Sequence, residues 1–276
     1  MATELTLSRM SRRPSRGRRQ GAILAVLQAR MSSSRLPGKV LKPLLGRPML
    51  ARQIERVKRS TLIDRLLVAT SAAAEDAAIE QLCAEMRVDC YRGSLDDVLD
   101  RFYRAAQACN PAYIVRLTGD CPFADPELID AVIRFCVDGG YDYVSNALQP
   151  TFPDGLDTEV LRFACLAEAW REARLPSQRE HVTPFIYNNP GRFRIGSFIN
   201  QVDYSHLRWT VDEPEDFSLV EKIYAALYPV NPRFSSEEIL AFIGRNPGVV
   251  TNAAIARNEG YAKSLRKDAS TPPSHG

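Results

Sequence analysis

Residues Gln28 to Lys39, Q-A-R-M-S-S-S-R-L-P-G-K, place three cations, three serines and a Pro-Gly turn in one short loop. They follow the apolar run Ala22 to Leu27, which reads as a buried strand. A strand that empties into a loop bearing Arg30, Arg35 and Lys39 is suited to an anion. Its backbone N–H groups can converge on phosphate oxygens while the cations neutralise the remaining charge. The G-x-x-x-x-G-K-[ST] spacing of a Walker loop is absent.

Several carboxylates stand where they could act with that loop. Asp120 follows Tyr113 to Leu117 in L-T-G-D-C-P, and capping does not account for it, because Asp125 already precedes the helix-starting Pro126. Asp120 is either a Mg²⁺ ligand or a turn-stabilising residue. Asp212, in W-T-V-D-E-P-E-D-F, resembles the first residue of a D-x-x-E capping box, yet its second oxygen stays free for a metal. Asp157 and Glu159 alternate with Leu156, Thr158 and Val160, so they share one strand face. That face is either solvated or recognises a polyhydroxylated ligand through paired hydrogen bonds. In Arg92-Gly93-Ser94, Ser94 suits a helix N-cap, whereas Arg92 and the loop amides could flank a nucleobase. Asp96, Asp97 and Asp100 then favour the helix start through its dipole. His181, beside Arg179 and Glu180 in R-E-H-V-T-P, is a lone histidine on a helix and reads as a satisfied structural residue rather than a zinc ligand. The six cysteines form no C-x-x-C pair and read as reduced thiols, and no second histidine lies at zinc-ligand spacing.

Alternating elements must position these groups. Strands are expected at 65–70, 88–91, 113–117 and 141–145, and helices at 48–59, 73–86, from Ser94, and from Pro126 to Gly139. Strand and helix in alternation, with turn chemistry at each strand's carboxyl end, predict a doubly wound α/β sheet whose ligands bind at those ends. The pattern then loosens. Strands are expected at 155–161, 193–199 and 207–211, and helices at 162–173, 177–187, 214–227 and 235–243.

Composition bounds the rest. The chain has 276 residues, and 45% hydrophobic with 25% charged is ordinary globular usage. The net charge of +3 misleads, because residues 1–20 hold six arginines against one glutamate, leaving the remainder at −2. Such a body is not a general nucleic-acid binder. The basic leader at 1–20 lacks core-forming residues and is expected to be disordered. No run approaches the roughly 20 apolar residues of a membrane span, so a cytoplasmic protein without membrane contact is expected.

The ordered set A-R-M-S-S-S-R-L-P-G-K, G-R-P-M-L, D-D-V-L-D-R-F, R-L-T-G-D-C-P, G-L-D-T-E-V, R-E-H-V-T-P and V-D-E-P-E-D resembles one family from about Ile23 to Leu227. It is similar to the cytidylyltransferases that include CMP-sugar synthetases, and most of all to the spore-coat polysaccharide biosynthesis branch. The resemblance implies a mostly parallel α/β sheet of the nucleotide-diphospho-sugar transferase (GT-A-like) type in a single domain over 21–250. A small acceptor and dimerisation subregion at about 151–200 and a loose tail at 251–276 complete it. It implies transfer of CMP from CTP to a small acceptor, a sugar acid, by a homodimer using Mg²⁺. Arg30, Lys39, Asp120 and Asp212 would then be catalytic, with Asp120 and Asp212 on the metal. Ala29, Arg30, Ser34, Arg35, Gly38, Lys39, Arg92 and Ser94 would bind the nucleotide, and Asp157, Glu159, Arg179 and His181 the acceptor. A GT-A-type glycosyltransferase, or a non-catalytic nucleotide-binding protein on the same fold, are the alternative readings.

Overall fold

The computed structural model describes residues 21–249, 257 and 259–270, so the expectation for the leader falls outside the described residues. A seven-stranded sheet forms the centre, made of β1 (Ile23–Gln28), β4 (Arg65–Ser71), β5 (Asp89–Gly93), β6 (Tyr113–Thr118), β7 (Tyr143–Ser145), β8 (Glu159–Arg162) and β9 (Ile195–Ser197). Its order is β5-β4-β1-β6-β8-β7-β9, parallel throughout except that β8 runs antiparallel to both β6 and β7. A two-stranded hairpin, β2 (Pro43–Leu44) with β3 (Arg47–Pro48), follows the basic loop.

The strand period of two sorts the core into layers. Ile23, Ala25 and Leu27 face α1 (Met49–Val57), α2 (Ala77–Met86) and α4 (Pro126–Asp138). Leu24 and Val26 face α3 (Val98–Gln107) and α5 (Phe163–Glu172). Both faces of β1 are therefore apolar, as a central parallel strand requires. A third cluster joins Phe123, Trp209 and Val211 to α8 (Pro214–Leu227) and α9 (Ser236–Arg245) beyond the strands' carboxyl ends.

Several expected elements differ. The strand at 207–211 does not form, since apart from one isolated bridge between Arg208 and Asp154 its backbone bonds go to loops. Val211 N–H donates to Asp120 O at 2.8 Å and Thr210 N–H to Asp154 O at 2.9 Å. The strand at 155–161 shortens to β8 because Gly155, at φ +111°, turns the chain first. The helix expected from Ser94 starts at Val98, where Asp97 accepts the Asp100 N–H at 2.9 Å, while Ser94 Oγ accepts the Asp97 N–H at 3.0 Å. The helix at 177–187 breaks into α6 (Pro176–His181) and α7 (Pro184–Tyr187) at Val182, whose φ is +73°. The expected loose tail contains α10 (Glu259–Ser270), packed on α6.

Candidate active site

The parallel register sets the site. Gln28 pairs with Thr118, so the loops leaving β1 and β6 emerge side by side. Gly119 donates to Gln28 O at 2.7 Å, and a Cβ there would lie 2.9 Å from that oxygen and from Ala29 Cβ. Only glycine permits this approach, and it draws Asp120 against the basic loop. On the loop side Gly38 takes φ +70° and turns the chain into a short 3₁₀ helix at Lys39–Leu41, sending the Lys39 side chain inward.

Lys39 Nζ donates to Asp120 Oδ2 at 3.2 Å, to Asp212 Oδ1 at 2.9 Å and to Val211 O at 2.7 Å. Burial alone would pull its pKa down, but the two carboxylates overcome this and hold it above the ordinary lysine value. Burial likewise pushes both carboxylates up, and Lys39 outweighs it; Asp120 falls below its usual range and Asp212 falls to about 2. Both are thus ionised, hard oxygen donors converging on one point.

Asp212 is not the cap its D-x-x-E pattern suggested. Asp216 accepts the N–H groups of Asp212 and Glu213 at 2.9 and 3.0 Å, which leaves both Asp212 oxygens to cations. Arg208 donates to Asp212 Oδ2 at 2.8 Å, to Asp154 Oδ2 at 2.9 Å and to Asp216 Oδ1 at 3.1 Å. Arg35 pairs with Asp212 at 3.1 Å and with Glu213 at 3.2 Å.

Arg35, Asp120, Asp154, Arg208 and Asp212 line one end of a cavity of about 330 Å³. Its other end holds Arg116, Tyr143, Asp157, Glu159, His181 and Tyr187. Glu159 is not on a solvated face, because Arg116 pairs with it and the Tyr143 hydroxyl donates to it at 2.7 Å. Asp157 accepts from Arg257 at 2.8 Å. Burial pushes the pKa of Asp157 up; Arg257 opposes this and Asp154 adds to it, leaving it at about 6. Burial, aided by Arg116, lowers the pKa of His181, so the ring is neutral at pH 7.

Not every expected residue joins the cavity. Arg179 turns away to Asp97, at 3.1 Å from Nε, and to the Trp170 carbonyl at 2.9 Å, lining a separate surface cleft. Arg92 grips the carbonyls of Ser71 and Ala73 and pairs with Glu80, which ties the loop after β4 rather than lining the cavity. Ala29, Arg30, Ser34, Gly38, Lys39 and Ser94 also lie outside the cavity lining, with Arg30 and Ser34 exposed and Lys39 buried. Arg116, Tyr143, Asp154, Tyr187, Arg208 and Tyr261 line it without having been anticipated. Two of them carried a signal, a charged residue inside an apolar run, in Y-I-V-R-L and L-R-W-T-V.

A mostly parallel sheet with a cationic loop and paired carboxylates at its carboxyl ends is suited to holding the phosphates of a nucleotide. The cytidylyltransferase family model matches residues 24–238, and the chain belongs to that family. It is a cytidylyltransferase, which sets aside the glycosyltransferase and non-catalytic readings. The spore coat polysaccharide biosynthesis protein SpsF of Bacillus subtilis is 37% identical over 239 residues, covering 83% of this chain and 97% of SpsF. The 3-deoxy-manno-octulosonate cytidylyltransferase of an Anaeromyxobacter species is 32% identical over 143 residues, 51% of this chain and 57% of that protein. Among solved structures, a cytidylyltransferase from Leptospira borgpetersenii superposes with a TM-score of 0.79 at 31% identity, covering 85% of this chain and 99% of that one. No helix among the described residues is long and apolar enough to cross a membrane.

Proposed function

We propose that the enzyme transfers CMP from CTP to a hydroxyl of a small polar acceptor, a sugar acid, with release of pyrophosphate. The observation that carries this reading is the single buried ammonium of Lys39 bridging Asp120 and Asp212, two carboxylates that line a polar pocket together with Arg35. An acceptor oxygen forms the new bond to the α-phosphorus, the α–β bridging P–O bond breaks, and the acceptor hydroxyl gives up its proton. Arg30, Arg35 and Lys39 take up the charge growing on the departing pyrophosphate. Glu159, Arg116, Tyr143 and His181 orient the acceptor's hydroxyls and carboxylate. Asp157 Oδ receives the proton, its raised pKa matching it to neutral pH.

Among the described residues no cluster of three or more histidines, cysteines or carboxylates is built to hold a metal unaided. Two ionised carboxylates sharing one cation nonetheless fit Mg²⁺, which commonly takes one or two carboxylates and completes its shell with phosphate oxygens and water. Asp120 and Asp212 would hold it, and when bound it supplies charge neutralisation at the reacting phosphate. The sugar-acid acceptor is supported by the relative named for 3-deoxy-manno-octulosonate, and a role in surface polysaccharide synthesis by SpsF. A homodimer through about 151–200 is supported by Leu175 and Ile199, 41% and 57% exposed.

The test is pyrophosphate release from CTP, compared with ATP, GTP and UTP, over a panel of sugar acids in the presence of Mg²⁺. CTP is expected to be preferred, and Asp120→Asn and Asp212→Asn to lose at least about 100-fold in rate. No turnover with any acceptor, together with no CTP binding by calorimetry, would sink the reading.

A further inference from the structure

The helix α10 lies beyond the stretch matched by the family model, yet it forms a wall of the cavity. Its docking is specific. His181 Nε2 and Ser264 Oγ are 2.9 Å apart, and the same hydroxyl donates to Glu180 at 2.8 Å. Asp268 accepts the Ser177 N–H at 2.8 Å. Tyr261 meets the rings of His181 and Tyr187 edge to face, with centroids 5.2 and 6.4 Å apart. Just before the helix, Arg257 reaches Asp157 at 2.8 Å and Asp154 at 3.4 Å.

The first residue of α10 joins this wall to the other end of the site. Glu259 Oε2 lies 3.1 Å from Arg35 Nη1, while Nη2 and Nε of the same guanidinium face Asp212 and Glu213 at 3.1 and 3.2 Å. Each nitrogen of Arg35 thus faces one carboxylate, which engages three of the five N–H groups of the guanidinium, and a phosphate approaching this cation competes with those carboxylates for its charge. The three are not equally replaceable. Asp216 fixes Asp212 and Glu213 through their backbone N–H groups at the start of α8. Glu259 sits on a helix in which Ser264 alone, among residues 259–269, is buried. Elements held by partly exposed polar contacts open at the least cost.

We propose that Glu259 is an internal competitor of the nucleotide's β- and γ-phosphates for Arg35, and that α10 is a strap over the acceptor end that loosens when the triphosphate takes the guanidinium. This makes Glu259 a positioning residue acting through Arg35, and it ties the wall formed by Tyr261 to occupancy of the nucleotide end. The inference rests on the assignment of Arg35 to the triphosphate.

The experiment is calorimetric titration of the full-length protein and of Glu259→Gln with CTP–Mg²⁺, with pyrophosphate–Mg²⁺ and with CMP. Glu259→Gln is expected to bind CTP and pyrophosphate roughly threefold to tenfold more tightly, the scale of one partly exposed ion pair, with CMP unchanged. A merely structural role for Glu259 would not give a gain confined to ligands carrying the terminal phosphates. In parallel, amide hydrogen exchange across residues 259–270 should quicken in the wild type when CTP is added, and should be quick in Glu259→Gln without it. If the wild type binds CTP while Glu259→Gln binds it equally, or gains as much for CMP, the strap is wrong and the nucleotide assignment stands. Unchanged exchange of α10 on CTP addition would equally overturn the loosening. Failure of the wild type to bind either CTP or pyrophosphate would remove the assignment of the loop, and the strap with it.

Discussion

At the scale of single residues, the site is a set of cations matched to carboxylates, and the matching fixes the protonation states. Lys39 keeps Asp120 and Asp212 ionised far below neutrality. Asp157 stands apart, because burial outweighs the pull of Arg257 and leaves its pKa at about 6. A raised carboxyl pKa means the proton-accepting form disappears as pH falls. With Asp157 as the base, kcat is therefore expected to fall as pH drops through about 6 and to level off above it. Asp157→Asn should remove that limb and lower kcat on the order of 100-fold, measured as initial rates from pH 5 to 8. An unchanged limb in the variant would assign the titration to another group. The sequence showed these residue types but not their pairings. Arg208 reads as one cation in an apolar run, and only the fold sets it against Asp154, Asp212 and Asp216 at once.

At the scale of elements, the regular alternation up to about residue 145 was legible because the central strands β1, β4 and β6 are mostly apolar on both faces and the helices are apolar on one stripe. The boundaries that moved did so where local chemistry competed with period. Asp97 took the cap from Ser94, and Asp216 took the capping role from the Asp212 pattern, because each accepts backbone N–H groups at better positions. The absent strand at 207–211 has the same kind of cause, since its N–H groups are satisfied by Asp120 and Asp154 carbonyls. That contact depends on Gly155, where a Cβ would lie 2.6 Å from the Trp209 carbonyl carbon and would also press on the Thr210 nitrogen. The positive φ adds strain for any other residue. Gly155→Ala is expected to cost on the order of 3 kcal/mol in chemical denaturation and to disturb Asp154 and Asp157 on either side. A loss within about 0.5 kcal/mol would show that the 207–211 segment simply moves aside.

At the scale of the whole molecule, the doubly wound sheet and the site at its carboxyl ends were both readable, but the closing wall was not. Nothing in the polar segment around E-G-Y-A-K-S-L-R signals that Glu259 and Tyr261 reach the cavity, because that depends on where α6 presents His181 and Glu180. Gel filtration with light scattering is expected to give twice the 30.9 kDa chain mass, and Ile199→Asp to shift it toward one chain. A single-chain mass for the wild type would count against the dimer. The antiparallel β8 has a further consequence, for the order in which the molecule is built. β7 is synthesised before β8, yet the sheet places it outside β8, with β9 outside it in turn. The parallel half, from β1 to β6 with α1 to α4, can close as soon as its residues emerge. The strands β7 and β9 must wait for Glu159–Arg162 to fill the gap between β6 and β7. Until then β6 offers a bare row of peptide groups to any other strand nearby, so synthesis and assembly fall out of step at this one position.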